Sequence, residues 1–307
     1  MSHRKPSIAT AEASQLRQNA LSRCGQVSKA MGRGLLFGMT TSLELQGISL
    51  PKHCDLDTNA LHTTASCQNL RIQSKLVKHH VWKMLKPAYQ VKISRHIFAL
   101  DLINTWAQLS PHVQLTDLIV LAESIIRTQA HDDITQMNLI YHRFVSFIET
   151  SPRFTGKCAC RQALRFILPG VYSPRETESR LALLTHGLPC PEVNFIVPGF
   201  RFASGAPMTL DMAWPQWHVG VEYDGDQHRY DKQQWHSDRE KRDKLRANGW
   251  SIVVISAGDI DDADARARFA LQTGRQLASR GAAFNFFIIA KPLERIRSAK
   301  PIDAQPV

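Results

Sequence analysis

The chemistry in this sequence is concentrated in acids set into apolar runs. Leu210-Asp211-Met212-Ala213-Trp214 and Val219-Gly220-Val221-Glu222-Tyr223-Asp224-Gly225 both read as strands, yet each carries a carboxylate that a buried strand would not select. In the second run Val219, Val221 and Tyr223 alternate with Gly220, Glu222 and Asp224. That period of two puts Glu222 and Asp224 on one face of a strand ending at Gly225. Carboxylates gathered at adjacent strands repel one another, and burying unpaired charge is costly, so the cluster implies a cation. Oxygen-only donors select Mg2+ or Mn2+, with Asp211 and Glu222 as ligands. The competing reading makes Asp211 a surface acid before the turn at Trp214-Pro215 and Glu222 a solvent-facing strand residue, which its apolar neighbours disfavour.

These acids need elements to hold them. Upstream, Ser173-Pro174-Arg175-Glu176 is a capping box with Pro at the first helical position, and the helix it opens stops at Gly187. Glu176 is therefore a cap residue, a site residue or both, and Arg180, four positions on, shares its helix face. Downstream lie His228, the charged helical segment from Asp238 to Leu245, a stop at Gly249-Trp250 and the strand Ile252 to Ile255. Asp238 and Arg242 have the spacing of a helix salt bridge. Arg239, Lys241, Lys244 and Arg246 offer phosphate contacts on the same helix. The order is helix, three strands, helix, strand. Ala263 to Ser279 then reads as an amphipathic helix stopped by Gly281.

Taken jointly, several motifs resemble the actinobacterial proteins with a very-short-patch-repair-like (Vsr-like) endonuclease domain of the restriction-endonuclease-like, or PD-(D/E)xK, superfamily. They are Glu176-Thr177 with Arg180-Leu181, Gly187-Leu188-Pro189 with Pro191, Asp211-Met212-Ala213-Trp214-Pro215, Glu222-Tyr223-Asp224-Gly225 with His228, and Asp238, Arg242, Leu245 and Gly249-Trp250. The resemblance implies an α/β fold with an αβββαβ core, and a metal held by Asp211 and Glu222 with the Tyr223 carbonyl. The first helix of such nucleases often carries a Glu that reaches the metal waters, which implies that role for Glu176, with Arg180 holding its carboxylate. The superfamily expects Lys two residues after the second acid, and Asp224 stands there. The matching families share this departure, with an acid, Gly and then His. This implies Asp224 as a metal ligand or a support for one, His228 as general acid/base or water positioner, and Asp238 and Arg242 as supports for His228. The middle of the chain resembles the region of these proteins related to antitoxins of abortive-infection type IV systems. There a winged helix-turn-helix precedes the equivalent of Leu36; here a short basic stretch takes its place.

At 307 residues and 43% hydrophobic content the chain has room for two domains. The expected division is a basic flexible tail over 1–34, a mostly helical module over 35–150, the endonuclease-like domain over 151–290 and a basic tail over 291–307. In the module, Leu35 to Gly47 suggests a short helix, and Ile72 and Val81-Trp82 suggest strands. Phe98 to Ala107, Leu115 to Arg127 and Met137 to Ile148 suggest three helices. The turn-rich Ser151 to Lys157 marks the boundary, after which a helix from Cys160 to Leu168 is expected on the nuclease core. A net charge of +11 suits a polyanion. Six cysteines without framework or zinc-ligand spacing read as reduced thiols in a cytoplasmic protein. No apolar run approaches the roughly 20 residues of a membrane span, so no membrane partner is expected.

The expected function is metal-dependent hydrolysis of nucleic-acid phosphodiesters, with DNA as first-choice partner. Two rivals stand beside it. One is an antitoxin-like regulator with a degenerate nuclease fold, and the other is a structural partner of a toxin.

Overall fold

A computed structural model describes residues 8–72, 74–225 and 232–296, in two compact units, 1–167 and 168–307. The fold is mixed α/β, with one mixed sheet in each unit.

The first unit runs α1 (Ile8–Ala30), β1 (Leu35–Phe37), α2 (Met39–Leu45), β2 (His62–Ala65), β3 (Lys78–Val81), β4 (Gln90–Lys92), β5 (Ile97–Leu100), α3 (Leu102–Leu109), α4 (Leu115–Ala130), α5 (Ile134–Thr150) and α6 (Lys157–Ala163). Its five-stranded sheet has the order β3-β2-β1-β5-β4. The expected mostly helical module therefore also carries a sheet that sequence patterning does not foresee. Strands of three or four residues are too short for a period of two to show. Leu35 to Phe37 is a strand, with the short helix starting only at Met39. β5 also runs straight into α3 through Asp101, whose carboxylate caps the helix by accepting the Ile103 and Asn104 amides at 3.1 Å each. One continuous apolar run thus hides a strand and a helix.

The supposed loose tail is corrected too. Most of it is α1, docked on α2 and β5 through Ala20, Cys24 and Ser28, all buried. These lie at i, i+4 and i+8 on one stripe, but the stripe is made of small residues, so hydrophobic periodicity does not reveal it. The domain boundary also moves. α6 packs on α4 and α5, with Cys160 and Ala163 buried and the Tyr141 hydroxyl donating to the Leu164 carbonyl at 3.2 Å. It belongs to the first unit and not, as expected, to the second.

The second unit runs α7 (Pro174–Thr185), β6 (Glu192–Arg201), β7 (Pro207–Trp214), β8 (Val219–Tyr223), α8 (Lys232–Ala247), β9 (Ser251–Ile255) and α9 (Ala263–Ser279). The sheet order is β6-β7-β8-β9, antiparallel except for the parallel pair β8/β9. Leu183 of α7 and Phe269 and Leu277 of α9 cover one face together with Met212, Trp214, Val219, Val221 and Val253. Leu245 of α8 covers the other with Val197, Leu210, Ala213 and Ile252. Gly220 points to the α8 side, where a Cβ would meet Leu210 Cδ1 at 2.7 Å, and Glu222 follows it on that face. Gly187, at φ +88°, ends α7 and seats the later segment: a Cβ there would lie 2.0 Å from the Asn285 carbonyl. Lys291 donates its amide to the Thr185 carbonyl and Leu293 is buried, so the expected tail from 291 begins as docked chain. Among the described residues no helix is long and apolar enough to cross a membrane.

The docking of α1 is testable. Ala20→Asp buries a charge at a position 1% exposed and should cost on the order of 2–4 kcal/mol, whereas Gln18→Asp on the exposed side should change little. Equal melting temperatures for the two variants would mean that the helix is not docked.

Candidate active site

The site forms where β7 and β8 part. Their main-chain pairing runs from Trp214↔Val219 to Met212↔Val221. One step further Asp211 faces Glu222, and the Tyr223 amide donates to Asp211 Oδ2 at 2.7 Å instead of to a strand carbonyl. The carboxylate thus satisfies a donor that the parting strands release. β7 also changes face at this point, because Leu210 and Ala213, three apart, both pack on the α8 side. Across the strand pair, Asn194 sits between the pairs Val193↔Met212 and Phe195↔Leu210 with φ 46°. Asn adopts this left-handed conformation more readily than most residues.

Asn194 connects the kink to α7. Its side-chain amide donates to Glu176 Oε2 at 2.9 Å and to the Gly170 carbonyl at 2.8 Å. Ser173 caps α7 as expected, accepting the Glu176 amide at 3.1 Å. The reciprocal half of the capping box differs: Glu176 Oε2 accepts the amide of Tyr172, one residue before the cap, at 3.1 Å. This turns the carboxylate toward the sheet. Burial, and after it the Asp211 charge, pushes Glu176 up to about 7. Arg180 is fully buried on the same helix, and Glu176 accepts from the Asn194 side-chain amide and the Tyr172 main-chain amide.

Glu222 is 8% exposed. Burial raises its pKa and Asp211 adds to the shift, while Lys241 opposes it. Lys241 is the main correction to the expected phosphate-binding face of α8. Its ammonium lies 2.5 Å from Glu222 Oε1 and donates to the Thr209 carbonyl at 3.0 Å, so it points into the site and not into solvent. With Asp211, Glu222, Tyr223 and Asp224 it lines a cleft of about 200 Å³, closed by Asp238, Arg242 and Val254. Asp224 is exposed at the strand end, its amide donating to the Ile255 carbonyl at 2.7 Å. Arg242 Nε donates to the main-chain carbonyl of Asp238 at 3.1 Å.

The other expected phosphate ligands are exposed. Arg239 lies 3.6 Å from Asp243, Lys244 donates to the Arg201 carbonyl at 3.0 Å, and Arg246 donates to the Ile252 carbonyl at 3.4 Å. His228 lies outside the described residues. Sequence reasoning missed Asn194 and the direction of Lys241. A signal for Lys241 existed: Leu245 is the residue that anchors α8 on the sheet, and four positions back from it on the same face is Lys241.

Among the described residues no three Asp, Glu, His or Cys side chains close on one point as the ligands of an ion do. Mg2+ is commonly held by one or two carboxylates with waters filling the rest of its shell. Asp211 and Glu222 are hard donors on facing strand positions, and Asp211 raises the pKa of both Glu176 and Glu222. The donor set fits such an ion.

Comparison with known proteins adds two relatives, both uncharacterized. Over 105 residues the chain is 31% identical to each of two uncharacterized proteins of Mycobacterium tuberculosis, one from strain CDC 1551 / Oshkosh and one from strain ATCC 25618 / H37Rv. Each match covers 34% of this chain and 38% of the relative, so the chain spans well under two thirds of those proteins' length. No protein-family model matches the chain, and no solved structure matches it at a significant level.

The raised Glu176 has a measurable consequence. Between its ordinary value of 4.5 and its folded value of about 7 the native state keeps a proton that the unfolded chain releases. Stability from this group is therefore full below the lower value and is lost as pH rises through the upper one. In metal-free protein the wild type should lose on the order of 1–3 kcal/mol relative to Glu176→Gln between pH 5 and 8. Parallel melting profiles for the two proteins would show that Glu176 ionises normally.

Proposed function

We propose that this protein is a metal-dependent nuclease with a restriction-endonuclease-like core that hydrolyses phosphodiesters of DNA. The supporting observation is the convergence of Asp211, Glu222 and Lys241 at the point where β7 parts from β8. Asp211 and Glu222, with the Tyr223 carbonyl, are the residues that would hold Mg2+ or Mn2+. When bound, the ion supplies an acidified water and charge neutralisation at the scissile phosphate.

The chain's own residues account for the rest. The superfamily's lysine is absent from its usual position, where Asp224 stands, yet α8 delivers Lys241 to the Glu222 carboxylate from the other side of the cleft. There its ammonium is placed to donate to a phosphate oxygen as negative charge develops. Thr209 holds the ammonium through its carbonyl, and Leu245 fixes the helix that carries it. Glu176, oriented by Asn194, stands next to Asp211 as a proton-holding carboxyl near neutral pH.

A second reading has its own observation. The Lys241–Glu222 ion pair already neutralises one of the two ligands, as it would in a non-catalytic, nucleic-acid-binding or toxin-binding relative of the nucleases. Cleavage assays on duplex, mismatched and single-stranded substrates with Mg2+, Mn2+ or EDTA separate the two. On the nuclease reading Asp211→Asn loses metal binding by calorimetry and loses cleavage. Lys241→Ala keeps metal binding but cleaves roughly 10²–10³-fold more slowly, the usual loss when one charge-stabilising donor is removed. A wild type that neither binds metal nor cleaves any substrate leaves the binding protein.

A further inference from the structure

The net charge of this protein is distributed unequally between its two units. Residues 1–167 hold 20 Lys and Arg against 10 Asp and Glu, whereas residues 168–307 hold 18 against 17. The unit with the acidic cleft is close to neutral, and the excess positive charge lies in the other one. Within that unit, no Asp or Glu occurs from Thr58 to Leu100, although a chain with 27 acids in 307 residues would place several in a stretch this long. The stretch contains seven Lys and Arg, and all seven are exposed.

Four of these cations, Lys83, Lys86, Lys92 and Arg95, lie on the edge strand β4 or on the segments of chain that lead into and out of it. Every residue of β4 is exposed, and among the described residues its outer edge pairs with no other strand. The platform is held in place: the Asp101 amide, at the cap of α3, donates to the Tyr89 carbonyl at 2.8 Å, and the Ile97 carbonyl closes the turn by accepting the amides of Ile93 and Ser94. Edge strands often carry a lysine as protection against mispairing, which accounts for Lys92. It does not account for Lys83, Lys86 and Arg95, which lie off the strand. Nor is this a protein-docking patch with an apolar centre, since Val91, 37% exposed, is the only large aliphatic on β4.

We propose that the β4 edge of the first unit is a docking surface for the phosphate backbone of duplex DNA. The charge arrangement favours a duplex over a single strand. Single-strand binding relies on exposed aromatic rings for base stacking. Between Lys83 and His96 the one Tyr, Phe or Trp is Tyr89, half-buried and with the Lys86 ammonium 5.8 Å from its ring centroid. This surface shares no residue with the lining of the acidic cleft and functions whether or not the cleft hydrolyses anything.

The experiment is fluorescence anisotropy of the full chain with a duplex of about two helical turns, in EDTA, across a range of salt concentrations. Each phosphate contact contributes about 0.9 to the log–log salt slope, so Lys86→Gln with Lys92→Gln should lower the slope by about 1.8. Lys86→Arg with Lys92→Arg should restore it, and Arg268→Gln with Arg275→Gln, equal in charge but on α9, should leave it unchanged. Unchanged binding in the β4 pair, or an equal loss in both pairs, overturns the proposal. So does competition by poly-glutamate as effective as by unlabelled duplex, which would mark an acidic protein as the partner, or tighter binding of a single strand. Because no metal is present, the result is independent of whether cleavage is ever observed.

Discussion

The bond from the Tyr223 amide to the Asp211 carboxylate is the constraint on which the second unit depends. Two antiparallel strands that part must leave main-chain donors without strand partners, and a buried orphan donor costs as much as a lost hydrogen bond. Asp211 supplies the acceptor from its side chain, so the sheet opens on the α8 side without that loss. The opening is what makes a cleft possible. It also forces an acid into an apolar strand, next to Met212 and Trp214, both buried, and this gives the sequence its unusual pattern.

Placing that charge has consequences around it. Glu176 and Glu222 both feel Asp211, and both are shifted upward, chiefly by burial. The two are relieved differently. Glu222 has a cation, Lys241, whereas Glu176 has neutral donors, the Asn194 amide and the Tyr172 main chain. Neutral hydrogen bonds compensate a buried charge less than an ammonium does, so Glu176 holds its proton to near-neutral pH. The left-handed backbone of Asn194 belongs to the same economy: local strain at one residue aims an amide at a buried carboxylate.

The first unit is built on a different balance. α1 docks through Ala20, Cys24 and Ser28, so close approach of small side chains replaces an aliphatic stripe. Burial holds the Cys24 thiol up at about 12, which keeps it an inert packing group. The seven lysines and arginines between Thr58 and Leu100 remain at the surface. Its sheet edge at β4 is left open and positively charged, while 17 of the chain's 27 acids fall in the second unit.

What the sequence determined by itself is local. The acids in apolar runs, the Ser173 cap, the stops at Gly187 and Gly249 and the order of elements from α7 to β9 follow from periodicity and from single-residue backbone preferences, which act over a few positions. Tertiary structure decided the rest. A helix turns about 100° per residue, so whether Lys241 faces solvent or Glu222 is set by where Leu245 docks, a contact with another element. Asn194 acquires its role only because β6 pairs with β7 at the kink, and α6 joins the first unit because its buried residues find α4 and α5. The short strands β1 to β5 exist because they pair with one another; segments of three or four residues carry too little pattern to announce themselves, and although β4 and β5 form a local hairpin, β1 finds its partners β2 and β5 far along the chain.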